Sequence, residues 1–127
     1  ESRKVGYTLI ILKTNDDPEI EAAHIKYCKK QRVAGLFACI TPNESNFELF
    51  QNLSKSDIPV IFFDRVPDNV NCNRICFADE TAATIAAEAI LKKNKKNVLA
   101  VFAEPSLSIT QKRIKAFQKA FQHALAL

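Results

Sequence analysis

Glycine is scarce in this chain: its 127 residues include two, Gly6 and Gly35. A loop that cradles phosphate with backbone N–H groups needs several glycines close together, so that nucleotide-binding class is excluded. Histidine is equally scarce, with His24 and His123 far apart and both on expected helices. Of the four cysteines only Cys72 and Cys76 are near each other, and no second Cys or His pair completes a tetrahedral zinc site. Apolar runs fall well short of the roughly 20 residues that cross a bilayer, so no membrane association through a spanning helix is expected. Low-complexity segments are lacking too, and 47% hydrophobic with 25% charged residues is a globular balance, not that of a disordered tail. Glu1-Ser2-Arg3-Lys4 leads directly into strand-like sequence with no export-signal core, which makes a cytoplasmic location with reduced thiols the expectation.

Excess charge of one sign is small. Eighteen Lys+Arg against 14 Asp+Glu leave +4, and Lys92, Lys93, Lys95 and Lys96 supply much of it beside an expected helix C-terminus, where the helix dipole favours cations. No aromatic residue interleaves with that run, so it does not read as a platform for single-stranded nucleic acid.

What is present is an alternation. Five apolar runs read as strands: Tyr7-Thr8-Leu9-Ile10-Ile11-Leu12, Gly35–Ile40, Ile58–Phe63, Arg74–Ala78 and Asn97–Ala103. Their continuous apolar character is that of parallel strands covered on both faces. Between them lie helical patterns. Asp17 suits an N-cap with Pro18 at the first helical position, and Ile20, Ala23, His24, Tyr27 and Cys28 recur on one face. Ser45 to Glu48 has capping-box form ahead of Phe47, Phe50 and Leu53, and Pro67-Asp68-Asn69 makes a turn. Asp79 reads as the N-cap of a helix with Ala82, Ile85, Ala86, Ala89 and Ile90 on one face. Ser108 to Gln111 opens a last helix with Ile114, Phe117, Phe121 and Leu125 in one stripe. The fold class is α/β: a parallel sheet with helices on both faces.

In such sheets ligands bind beyond the carboxyl ends of the strands. Those ends carry Lys13-Thr14-Asn15-Asp16, Thr41-Pro42-Asn43, Asp64-Arg65, Asp79-Glu80 and Glu104-Pro105-Ser106, a concentration of polar groups suited to a small polar ligand.

Six stretches in order resemble the effector-binding domain of the LacI/GalR family of transcription regulators, a type I fold like that of periplasmic binding proteins. They are Gly6–Leu9, Asn15-Asp16, Lys30–Leu36, Ile58–Arg65, Ile75–Asp79 and Arg113–Ala120; the family's small-residue pair after Asp79 takes the form Ala83-Thr84 here. The chain departs from the family at Ala116, where glycine is usual, and at Asn94-Lys95, where a Gly-His pair is usual. The resemblance implies a partial two-lobed domain, residues 1–79 in the N-terminal lobe and 80–127 opening the C-terminal lobe. The family's opening strand and helix, its DNA-reading headpiece and its last strands are expected to lie outside this chain.

The resemblance also implies roles. Asp64 matches an acidic residue that accepts from ligand hydroxyls, Arg113 an arginine reaching the ligand from the other lobe, and Arg65 a weaker ligand contact. It implies a small-molecule effector, a sugar or similar polar metabolite, with operator DNA contacted through the headpiece, and a homodimer. No cofactor and no metal are expected. Two other readings stay open: a sugar-binding protein of a transport or chemotaxis system, and an enzyme using Asp64, Asp79 and Glu80. No Ser/His or Cys/His arrangement supports the enzyme.

Overall fold

The computed structural model describes residues 2–68, 71–95 and 97–125. A short 3-10 turn, Ser2–Val5, is followed by α1 (Pro18–Gln31), β1 (Leu36–Ala38), α2 (Phe47–Ser54), β2 (Val60–Phe63), β3 (Asn73–Ile75), α3 (Asp79–Leu91) and α4 (Ser108–Leu125). The strands form one parallel sheet in the order β1-β2-β3, with Leu36 opposite Val60 and Ile61 opposite Asn73. Strand-helix alternation and parallel pairing agree with the sequence pattern; the expected covering of both faces does not, because among the described residues the core lies against one face of the sheet and Phe37 and Phe63 are exposed on the other.

Local chemistry explains the helix starts. Asp17 caps α1 as expected: its Oδ1 accepts from the N–H groups of Glu19 (2.8 Å) and Ile20 (3.2 Å), and Pro18 occupies the first position, where no N–H partner is needed. The capping box at Ser45 does not form. Asn46 is the N-cap of α2, and the Ser45 hydroxyl lies 3.1 Å from Asn43 Oδ1 instead. Asp79 is likewise not a cap: Ala78 takes that place, and Asp79 sits inside the first turn of α3. Of the expected turn, Asn69 lies outside the described residues, as does Lys96 of the lysine run.

Helices α1 and α2 touch each other, and with β1 and β2 they close the core of Ile25, Ala38, Ile40, Phe50, Leu53, Ile58, Val60, Phe62 and Val66. Alternation along the strands decides which side is covered. Ala38, Val60 and Phe62 are buried, whereas Phe37, of opposite parity, is 67% exposed. Helix faces are rotated from the expected ones. In α1 the buried residues are Glu21, Ile25 and Cys28, with Ile20 and Tyr27 outside; in α3 they are Asp79, Ala83 and Ala87, with Ile85 outside. Half-buried Ile114, Phe117 and Phe121 of α4 follow the expected stripe, and Phe117 stacks edge-on against Phe102 at 5.9 Å. None of the four cysteines is joined in a disulfide.

Two expected strands are corrected. Tyr7–Leu12 and residues 97–103 carry no ladder; the apolar side chains of the first run face outward, Ile11 at 83% exposure, and in the second Leu99 (89%) and Val101 do so while Val98 and Phe102 are half-buried. A strand exists only by pairing, and the described residues supply neither run with a neighbour. β1 likewise pairs on one side only. Unpaired edges beside exposed apolar side chains template association with other chains. The chain is therefore expected to self-associate, with the double substitution Leu9→Lys/Ile11→Lys shifting it toward monomer. Sedimentation velocity over a concentration series checks this; a monomer at every concentration, with a cooperative melt, contradicts it.

Candidate functional site

The carboxyl ends of the strands gather the charged residues. β2 ends where Asp64 adopts a left-handed backbone (φ 58°), while its N–H still donates to the Ile75 carbonyl at 3.3 Å. That turn leaves the Asp64 carboxylate exposed beyond the sheet. Asn15 (φ 53°) and Asp16 (φ 64°) are left-handed too. Short polar side chains tolerate this region best, and such strain concentrates at functional sites.

Arg65 binds these loops together. Its guanidinium forms an ion pair with Asp16, and its Nε donates to Cys39 Sγ at 3.5 Å. Cys39 Sγ in turn lies 3.9 Å from Asp64 Oδ2. The hydrogen bond from Arg65 holds the Asp16 carboxyl below the ordinary aspartate value, and the same contact raises the guanidinium.

Arg113 lies on α4, and its Nε and terminal nitrogen both reach Asp79 Oδ1 at 2.7 Å. Asp79 is 7% exposed, so this pair ties the first turn of α3 to α4 and neutralises a buried carboxylate. Asp64 and Asp79 line one hollow of about 250 Å³, together with Glu80, Thr81, Ser108 and Lys112. Arg113 is not part of that lining; its fork is turned onto Asp79, at the hollow's edge. Arg65 lines a neighbouring hollow of about 70 Å³ between Thr41, Pro42 and Glu44 on one side and Ser106, Leu107 and Ser108 on the other. Ser108 and Ile109 are common to both.

A hollow of about 550 Å³ lies elsewhere, over Phe47, Phe50, Val60 and Phe62 beside β3. Its floor is the core itself, and none of Asp64, Arg65, Asp79 and Arg113 reaches it. The smaller hollows carry the converging polar groups that fix a ligand's orientation. Asp16, Cys39, Ser108 and Lys112 were not singled out from the sequence. Asp16 stands in the sequence as a strand-end residue and in a resembling stretch, Thr41 as a strand-end residue, and nothing in the residue spacing pairs Asp16 with Arg65.

Residues 1–125 match the family described as periplasmic binding proteins and sugar-binding domain of the LacI family. The chain belongs to that family. It is 32% identical over 120 residues to the fructose operon regulatory protein of Vibrio cholerae, covering 94% of this chain and 36% of that protein. Among solved structures it resembles the Cra transcriptional dual regulator of Pseudomonas putida in complex with fructose 1-phosphate. That likeness has 27% identity and a TM-score of 0.82, with 94% of this chain and 44% of the other covered. A putative ribose operon repressor of Burkholderia thailandensis, at 22% identity and TM-score 0.84 over 96% and 46% of the two chains, shares the fold. The family member thus spans little more than a third of the length of its curated relatives.

Proposed function

We propose that this LacI-family chain is part of the sugar-sensing domain of a transcription regulator, and that its effector is a sugar or sugar phosphate. Supporting the reading most directly is the convergence of Asp64 and Asp79 on one polar hollow in a chain that is similar to a fructose operon regulator. An ionised carboxylate accepts from two hydroxyls at once, and such charge-assisted bonds are about twice as strong as neutral ones. Lys112 and the first turn of α4 at Ser108 supply donors for an anionic group.

In this reading residues 1–79 belong to one lobe and 80–127 to the next. Contacts between elements support that division, since α3 and α4 pack on each other while α1, β1, α2, β2 and β3 form the remaining set. Asp64 and Arg65 act from the first lobe. Arg113 acts from the second, by sharing its fork between Asp79 and the ligand. The ligand shifts the relative population of lobe arrangements by its differential affinity for them. In the whole protein that shift alters the hold of a homodimer on operator DNA, in the cytoplasm. Regulators among the curated relatives favour this over a transport or chemotaxis receptor.

The reading is tested by calorimetric titration with fructose 1-phosphate and with D-fructose. Fructose 1-phosphate is expected to bind the more tightly, with an affinity that falls as salt rises. Absence of heat from both sugars contradicts the sugar-sensing role.

A further inference from the structure

Glu21 is a carboxylate in the interior, 3% exposed, with no cation among its described partners. Burying an ionised group costs free energy unless donors surround it. Three do. Glu21 Oε1 accepts from the Thr41 backbone N–H at 2.8 Å; Oε2 lies 3.0 Å from the Thr41 hydroxyl and accepts from Asn46 Nδ2 at 2.9 Å. Glu21 also stands in the first turn of α1, where the helix dipole favours negative charge.

These partners bracket one loop. Beyond the end of β1 the Ile40 N–H still donates to the Arg65 carbonyl at 3.3 Å, and Glu21 takes the N–H that follows, on buried Thr41. At the loop's far end Asn46 is held twice, by Glu21 and by the Pro18 carbonyl at 2.7 Å. Between these anchors Glu44 is kept in a left-handed backbone (φ 51°), unfavourable for a residue with a long side chain. Thr41, Pro42 and Glu44 form the wall that faces Ser106, Leu107 and Ser108 across the small hollow.

We propose that Glu21 is a positioning residue for ligand binding: by anchoring Thr41 and Asn46 it holds the 41–46 wall at the separation from the start of α4 that the bound ligand requires, without touching the ligand. The inference rests on the sugar-binding role proposed above. It makes Glu21 more than a stabilising residue, since loosening this wall lowers affinity in molecules that are still folded.

Glu21→Gln keeps the size but turns an acceptor into a donor facing the Asn46 amide; Asn46→Ala, outside both hollows, loosens the same loop from its other end. Two readouts are taken on folded protein: affinity for fructose 1-phosphate, and hydrogen exchange of the Thr41 amide without ligand. Both variants are expected to bind at least about tenfold more weakly, the scale of one hydrogen bond to a charged group, and Glu21→Gln to lower Thr41 protection, since the Thr41 N–H keeps only a neutral amide oxygen as acceptor. A lower melting temperature with wild-type affinity overturns the proposal while leaving the sugar-binding role intact. If the unsubstituted chain binds no sugar phosphate, the sugar-binding role fails, and unchanged Thr41 protection in Glu21→Gln then overturns the anchoring as well.

Discussion

Phe62→Ala is expected to lower the stability of the chain by about 3–5 kcal/mol, a fifth or more of the roughly 5–15 kcal/mol that holds a domain together. Phe62 is 3% exposed at the centre of β2, with its ring 5.3 Å edge-on from Phe50 and 6.0 Å from Phe47. Truncation removes the transfer free energy of the ring, leaves a cavity that the parallel strands cannot close, and abolishes both aromatic contacts. The hollow beside Phe47 and Phe50 already opens onto this ring, so water enters the vacated space and the α2 contacts loosen first. Phe37→Ala is the internal control. Its side chain points to the open side of the sheet, and its loss is expected to change stability by no more than about 0.5 kcal/mol. Urea unfolding followed by circular dichroism checks both; equal effects would contradict the one-sided burial of the strands.

Asp64→Ala is expected to weaken effector binding by roughly 1.5–3 kcal/mol, about ten- to 150-fold in affinity, the range for hydrogen bonds to a charged group. Stability is expected to fall by no more than about 1 kcal/mol, the cost of alanine in the left-handed backbone there, because the carboxylate is exposed and its described side-chain contact is the long one to Cys39. Arg113→Ala separates the two roles differently. It leaves Asp79 buried without its cation, so it costs stability as well as affinity, although the half-exposed guanidinium limits the stability loss. Calorimetry with fructose 1-phosphate, paired with thermal melts, distinguishes the two. Unchanged affinity in Asp64→Ala removes that residue from the site.

Elements whose signal is local were legible in the residues. Asp17 and Pro18 announce the start of α1 because capping and a fixed φ act within one turn. The apolar runs at 36–38 and 60–63 are paired strands, the alternation of strands with helices points to the α/β class, and the six resembling stretches point to the family. The runs at 7–12 and 97–103 have the same apolar pattern, yet among the described residues they are unpaired, because β structure depends on a second strand that residue pattern cannot supply. Helix faces depart from the apolar pattern for a related reason. Hydrophobicity placed Ile20 and Tyr27 of α1 inward, but Glu21 turns in because Thr41 and Asn46 offer it three donors.

Asp64, Arg65 and Arg113 were selected from sequence resemblance, while their surroundings came from the tertiary structure. Residue order alone determined the class of fold, the main helices and the concentration of polar groups at strand ends, since each follows from short-range periodicity and backbone preference. Only the folded chain decided that Arg65 meets Asp16, that Arg113 rests on Asp79, and that a buried Glu21 holds the loop opposite α4. Ion pairs and hydrogen bonds act over a few ångströms, and which groups come that close is decided when distant segments pack together.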